Sequence, residues 1–486
     1  MKHRNKFSLL FCLLISLLQL SPSILKAVPC DHLLNFAGFN SYIDCGPAIA
    51  LHPETGVTVE AWIYPFDASL NQKIAGNIDP FTNSGYELAI DSNKLYCEIK
   101  DTSGLLTFFR AGQINSNEWT HVAFSFLVNG TMKGYINGNE VFSTSVGSTP
   151  IGNTGTTNFI IGSAPWDQTY FNFYGNIDEV KVFNVQLPIT AIREDMRLSF
   201  TGPTQHLIGY WKFSEGSGNS TADFSGMNNN GTLSGSTLPA WVYTDGPYGI
   251  GSSELKVISC CSTFNFDPAT IRLDVNVGSL TGSDTVVATF IQCEPGGTQP
   301  SGSVDYVYGY WVLDHYGNPN PFTGTFDFNL GAGIISSQDE SNPSNLKLYL
   351  RNANDVGNWG IWSSATSASS LNGTIHFNAA SLSQQYVIGT TGNSPLNTSS
   401  LTTNLNGFEL SPNPVQNQLN ITFSGSEKTA VQLEILDETG RIVLNVSSAS
   451  LNSERVTLDL NQLQAGMYFM RMNDGENLTL QKFIKN

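Results

Sequence analysis

The chain has 486 residues, enough on length alone for three or four domains. Only 13% of them are charged and 45 are glycine, so the surface is built from uncharged polar residues, as in an exported β protein. A net charge of −17 with no basic stripe argues against nucleic acid as a partner and against docking on an anionic membrane face.

Residues 1–27 read as a secretory signal peptide. Lys2, Arg4 and Lys6 precede an apolar run over 7–20, and small residues reach Ala27, where cleavage is expected. The run is too short to span a membrane, so no transmembrane segment is expected after cleavage. Loss of Cys12 leaves six cysteines, which allow 15 pairings. Grouping them by domain favours Cys30–Cys45 and a bridge from Cys293 to Cys260 or Cys261. No Cys/His spacing suggests zinc.

Residues 28–249 carry the clearest strand signals. LNFAGFNSYIDCG reads as an opening strand with a glycine turn. Over 57–65, Val57, Val59, Ala61 and Ile63 share one face, and Thr58, Glu60, Trp62 and Tyr64 share the other. The loop 76–85 is rich in breakers and holds Asp79 and Asn83. YELAI and KLYCEIK pair around Asp91-Ser92-Asn93. Val122, Phe124, Phe126 and Val128 alternate, and Asn137-Gly138 then predicts a tight type I′ turn between MKGYI and NEVF. Strands NFIIGS and GNIDEVKVFN flank a loop over 163–175 dense in aromatics: Trp166, Tyr170, Phe171, Phe173 and Tyr174, with Asp167 and Gln168. LPITAIREDMRLSF is the one convincing amphipathic helix, expected over 189–200.

Residues 250–391 contain short strands at regular spacing divided by Gly, Pro and Asn turns, the pattern of a β-sandwich. Residues 392–406 read as a flexible linker. In 407–486 the motif Pro412-Asn413-Pro414 opens a further set of alternating strands. Turns are expected at Gly440 and Gly466, and a basic end at Lys482 and Lys485. The fold class is therefore all-β, with three successive sandwiches; the resemblances below imply a jelly roll for the first and a small Ig-like sandwich for the third.

The motifs of 33–242, in this order, resemble the laminin-G-like, concanavalin A-like jelly roll. The unit 250–391 loosely resembles β-rich modules of bacterial surface proteins, which implies no activity. The stretch from Pro412 to Lys485 closely resembles the type A C-terminal sorting domain of the type IX secretion system of Bacteroidetes. That resemblance implies Sec export, engagement of the type IX machinery and passage across the outer membrane. Cleavage upstream of the domain then gives a free or surface-attached product.

The concanavalin-like fold also hosts glycosidases, which hold two carboxylates on one strand face at ~5–5.5 Å or ~6.5–9.5 Å. The family motif Glu-x-Asp-x-(x)-Glu is missing from the domain, and the adjacent pair Asp178-Glu179 is expected to point to opposite faces. No GxSxG or HExxH occurs, and the seven histidines are scattered, so no catalytic residue is expected. Resemblance to the similarly folded pentraxins implies a rim site for Ca²⁺ at Asp167 and Gln168, with Asp79 and Asn83 from the facing loop, though with fewer acids than pentraxins have. The alternative is that these residues cap turns. Trp166, Tyr170 and Tyr174 are the candidate ligand-binding rings, suited to stacking on sugars or anchoring a protein; the alternative is a loop folded over its own aromatic cluster. The expected function is secreted or surface binding and adhesion, with a glycan or surface protein as ligand. A carbohydrate-binding accessory component of a polysaccharide-degrading system, with weak or no glycosidase activity of its own, is the second reading.

Overall fold

The computed structural model describes residues 32–392 except 83, 154, 268–270, 299, 304, 308, 318–321 and 379–380. Beyond them it describes 396, 408–411, 415–423, 432–437, 442–446, 455–464, 466–473 and 478–485. No helix among these is long and apolar enough to cross a membrane.

The first sandwich runs β1 (His32–Ala37), β2 (Ser41–Asp44), β3 (Gly56–Pro65), β4 (Gln72–Gly76), β5 (Tyr86–Asp91), β6 (Lys94–Lys100) and β7 (Leu106–Ala111). It continues with β8 (Thr120–Leu127), β9 (Thr131–Ile136), β10 (Asn139–Ser145), β11 (Ile160–Ile161), β12 (Tyr174–Phe183), α1 (Ile189–Asp195) and β13 (Leu207–Trp211). β14 (Ser220–Thr221), β15 (Gly231–Gly235) and β16 (Ala240–Tyr243) complete it. One sheet has the order β10-β9-β8-β3-β12-β1-β16 with β13 on β12; the other has β14-β15-β2-β11-β4-β5-β6-β7. Their facing sides make one apolar core. Val57, Val59, Ala61, Ile63, Val122 and Phe124 enter it from the first sheet, and Ile74, Leu88, Ile90, Leu95 and Phe109 from the second. This is the two-sheet jelly roll expected from the alternation.

Asn137 (φ 48°) and Gly138 (φ 69°) both take positive φ between β9 and β10, as a type I′ turn requires. The glycine has a second reason to be there. A β-carbon at Gly138 would come within 2.5 Å of the Tyr316 hydroxyl. The helix is shorter than its amphipathic pattern implies and stops at Asp195. Beyond it the backbone finds other partners: Ser199 N–H donates to Gly249 O (2.8 Å) and Gly249 N–H to Arg197 O (3.0 Å).

The second sandwich contains β17 (Gly251–Ser259), β18 (Thr263–Phe266), β19 (Arg272–Ser279), β20 (Ser283–Ile291), β21 (Asp305–Tyr306), β22 (Tyr310–Tyr316) and β23 (Thr323–Asn329). α2 (Ser337–Ser341), β24 (Leu346–Asn352), β25 (Gly360–Ser364), β26 (Ser367–Ser369), β27 (Thr374–Asn378) and β28 (Gln384–Thr390) follow. Sheets β17-β20-β22-β28-β24-β25 and β18-β19-β23-β27-β26 enclose Phe266, Leu273, Trp311, Leu313, Phe326, Phe328, Leu348 and Phe377.

The two sandwiches are joined by a buried ionic contact. The Arg197 guanidinium pairs with the Asp314 carboxylate, Nη2 to Oδ1 at 2.7 Å, and donates to Pro247 O (2.9 Å) and Asn354 Oδ1 (2.8 Å). Met196, Val287 and Tyr316 pack beside it, and the Arg193 guanidinium lies 3.9 Å from the Tyr316 ring centroid.

The third unit has β29 (Phe408–Ser411), β30 (Gln418–Phe423), β31 (Gln432–Asp437), β32 (Ile442–Val446), β33 (Arg455–Asp459), β34 (Gly466–Asn473) and β35 (Leu478–Lys485). Sheets β29-β30-β33 and β32-β31-β34-β35 bury Leu433, Ile435, Leu458, Leu460, Tyr468 and Met470. Pro412, Asn413, Pro414 and Gly440 lie outside the described residues. Gly466 enters strand β34, opposite Lys485, but a β-carbon there would come no closer than 3.7 Å to Tyr468, so the turn strain expected at this glycine is not found. The basic end is part of the sheet. Lys482 and Lys485 belong to β35, facing Phe469 and Gly466 in the ladder, and Lys485 is buried.

The cysteines pair differently from expectation. Cys45 is a free thiol inside the first core, so it makes no bridge to Cys30, which lies outside the described residues. Cys260 and Cys261 bond to each other, and Cys293 is bonded elsewhere. The antiparallel register explains this. β17 pairs Ser259 with Ser283 and Gly251 with Ile291, which puts Cys260 and Cys293 at opposite ends of the ladder, about 27 Å apart at the strand rise.

Candidate functional site

The sequence carries two places where carboxylates gather on a strand, and each has to be located. The first is Asp178-Glu179 on β12. The β12–β3 register shifts between Asp178 and Lys181, and Glu179 takes φ 52°. This bulge cancels the alternation, so Ile177 and Val180 enter the core while both acids face away from it, correcting the expectation of opposite faces. Asp178 Oδ2 accepts from the Tyr248 hydroxyl (2.7 Å), and Glu179 accepts from Ser199 Oγ (2.6 Å) and the Tyr210 hydroxyl (2.5 Å). Nearby, Glu60 lies 3.5 Å from His121 Nε2, and the Lys181 ammonium donates to Asp195 O (3.0 Å) and Leu198 O (2.8 Å). Burial holds the His121 imidazole below its ordinary pKa and pushes the Asp195 carboxyl up to about 6. Asp178, Glu179 and Glu60 are buried.

The second place is the outward face of the other sheet. Glu87 on β5 stands directly opposite Glu98 on β6. Glu87 is buried against the Lys73 ammonium, while Glu98 accepts from the Tyr96 hydroxyl. Burial, with the facing Glu98, holds the Glu87 carboxyl up at about 7 despite the Lys73 contact. Lys73 also ties this face to the aromatic loop: its N–H donates to Phe171 O (2.8 Å), and its ammonium lies 5.5 Å from the Phe171 ring centroid. That carbonyl is presented by an unusual backbone, with Phe171 at φ 63°.

At the rim of this sheet a pocket of about 400 Å³ opens, lined by Tyr42, Asp44, Asp79, Thr156, Thr157, Asn158, Ile160, Pro165 and Gln168. The strand order builds it. Ile160 of β11 pairs with Asp44 of β2 on one side and Gly76 of β4 on the other, so the ends of three strands share one rim. Asp44 is fixed by Gly46 N–H (2.8 Å) and by the Asn158 amide, 2.9 Å from each carboxylate oxygen. Asp79 Oδ1 accepts from Phe81 N–H (2.8 Å).

Of the sequence candidates, Asp79 and Gln168 meet in this pocket. The Gln168 amide nitrogen donates to Pro165 O (2.6 Å). Asp167 does not line the pocket; its Oδ1 caps its own turn at Thr169 N–H (2.9 Å) and Tyr170 N–H (3.4 Å). Asn83 lies outside the described residues. Trp166 sits between Phe81 (centroids 6.3 Å) and Phe171 (5.4 Å), and Phe81 is 84% exposed. Tyr170 and Tyr174 are both exposed, and Tyr174 packs one edge on Phe66 (centroids 5.2 Å). Asp44, Asn158 and Phe81 were not singled out from sequence. Among the described residues no group of three or more His, Cys, Asp or Glu gathers as a metal cluster.

Residues 37–193 match the model of the concanavalin A-like lectin/glucanases superfamily, and residues 409–486 match that of a secretion system C-terminal sorting domain. The sorting domain marks the protein for secretion or for the outer-membrane surface through the type IX machinery. No curated protein matches the chain. Among solved structures, a carbohydrate-binding-protein candidate from Bacteroides ovatus is 20% identical, with 46% of this chain and 62% of that chain covered and a TM-score of 0.37. The match thus spans less than two thirds of that protein. The heptameric SAP-like pentraxin of Limulus polyphemus is 15% identical, covering 34% and 81%, with a TM-score of 0.28. The CBM40 domain of the Ruminococcus gnavus IT-sialidase, bound to α2,3-sialyllactose, is 14% identical, covering 35% and 95%, with a TM-score of 0.27.

Proposed function

We propose that this exported, concanavalin A-like protein is a surface lectin or adhesin whose rim pocket binds a neutral glycan. The supporting observation is the pocket itself. Asp44 and Asp79 are held in place by their own hydrogen bonds, and Phe81 and Trp166 form an aromatic patch in the adjoining loops. Fixed carboxylates and amides accept hydrogen bonds from sugar hydroxyls without first having to be ordered, and flat rings stack on the apolar face of a pyranose. The described lining holds two acids and no base, which disfavours uronic or sialic acids.

Binding rather than catalysis is the reading that burial favours. Asp178 with Glu179, and Glu87 of the cross-strand pair, are closed to a substrate. Ca²⁺ belongs to the same proposal in a reduced form. Asp44, Asp79 and the Gln168 side-chain oxygen are hard donors around one pocket, whereas Asp167 is committed to its turn. A bound ion would supply further coordination for sugar hydroxyls there.

A glycan array probed with the full-length secreted protein, with and without Ca²⁺, tests the reading. Binding to neutral glycans that Asp44→Asn removes is the expected result. Binding confined to acidic glycans, or none at all, would overturn it.

A further inference from the structure

We propose that the bonded pair Cys260–Cys261 is a reversible thiol-exchange site on the second sandwich. The two residues sit in the turn between β17 and β18, and both are exposed. Beside them an open trough of about 440 Å³ is lined by Cys261, Ser262, Thr263, Asn276, Gly278 and Thr325, among others, with no charged side chain in the described lining. A thiolate can therefore reach the Cys261 sulfur through the trough without meeting a carboxylate. The other cysteines stand in contrast. Cys45 and Cys97 are enclosed in the first core, where burial pushes both thiols well above their ordinary pKa and leaves them inert. Cys293 is buried.

Adjacency decides what reduction does. A disulfide stabilises a fold largely by closing a loop in the unfolded chain, and the stabilisation grows with loop length. This bridge closes over a single peptide bond, so breaking it releases almost no chain and leaves the sandwich folded. The two thiols stay side by side, which makes re-oxidation intramolecular. In the forward direction a small thiolate attacks one Sγ, the Sγ–Sγ bond breaks, and the other cysteine leaves as a thiolate that takes up a proton. A second small thiolate then attacks the mixed disulfide. It forms the small-molecule disulfide and frees the second cysteine, so two thiols supply the two electrons.

The test uses the full-length protein under native conditions, treated with a millimolar monothiol and then a maleimide, with the labels located by peptide mapping. Two labels are expected, at Cys260 and Cys261, with an unchanged circular dichroism spectrum. Mapping on the wild type keeps the test independent of whether a variant folds. A Cys260→Ser/Cys261→Ser protein, if folded, should take up neither label. Labelling before any thiol is added would show that the two are not bonded. Labelling only after denaturant, labelling of Cys293 at the same rate, or unfolding on reduction would each overturn the proposal.

Discussion

The outer faces of the two sheets in the first sandwich differ in what covers them. On the sheet containing β3 and β12, that face carries Glu60, Trp62, Asp178, Glu179 and Lys181, all buried, and Arg197 stacks over Trp62 on its way to Asp314 of the second sandwich. On the sheet containing β4 to β7, Phe108 and Arg110 reach solvent, and the rim pocket opens at the ends of β2, β4 and β11. One core thus supports two different surfaces. The buried side ties its polar groups to the first sandwich's own segments beneath Arg197, which carries the contact to Asp314, and the open side turns the polar lining of the rim pocket toward solvent. A buried carboxylate pair is weak evidence for function when the surface over it belongs to the protein itself.

The comparison is most strongly tested at Arg197. Asp314→Ala leaves a buried guanidinium without its counter-ion, and urea unfolding of the full chain should show a loss of about 3–5 kcal/mol. Arg197→Met with Asp314→Leu should cost much less, because no charge is then stranded. A loss below about 1 kcal/mol for Asp314→Ala, the range of an exposed pair, would mean that the two sandwiches are not clamped.

A smaller effect is expected on the open sheet, through pH. Glu87 keeps its proton up to about pH 7 in the native state, while an unfolded glutamate loses it near 4.5. The native state therefore binds more protons across that window, and stability falls as pH rises from about 4.5 to about 7, by about 3 kcal/mol for the full shift. Glu87→Gln should flatten the slope. The difference between the two proteins is the quantity to follow, since His121, held neutral by burial, contributes a slope of opposite sign below about 6.5. An identical pH profile for the two proteins would refute the assignment.

Asp167→Ala removes a turn cap and should cost about 1 kcal/mol, while leaving any Ca²⁺-induced rise in melting temperature intact. Loss of that rise would restore Asp167 as a ligand. The smallest stability change, within about 0.5 kcal/mol, is expected for Phe81→Ala, whose ring is mostly in solvent. Glycan binding should nonetheless weaken in that variant.

Much of the fold was legible because alternation is a direct record of burial: Val57, Val59, Ala61 and Ile63 enter the core as their spacing requires. The Asn137-Gly138 turn was equally plain, since few residues take positive φ at two successive positions. The Asp178-Glu179 reading failed because a bulge inserts a residue that a strict period of two cannot represent. The helix was overextended because Met196, the apolar residue just beyond its end, continues the pattern while facing another domain. In the candidate site, Asp79 and Gln168 were singled out by the resemblance of their two loops to those of pentraxins. Asp44 was not, because it closes an ordinary strand and meets the rim only through the pairing of β2 with β11. That pairing joins residues more than a hundred positions apart, and no local pattern encodes it.

The central claim, that the rim pocket holds the ligand, is tested most directly by titration calorimetry of the full-length protein with the tightest-binding neutral glycan. Wild type is compared with Asp44→Asn. Loss of a charge-assisted hydrogen bond predicts about 10- to 100-fold weaker binding, with only a small drop in melting temperature from the lost Asn158 contact. An unchanged dissociation constant would place the ligand elsewhere and contradict the account.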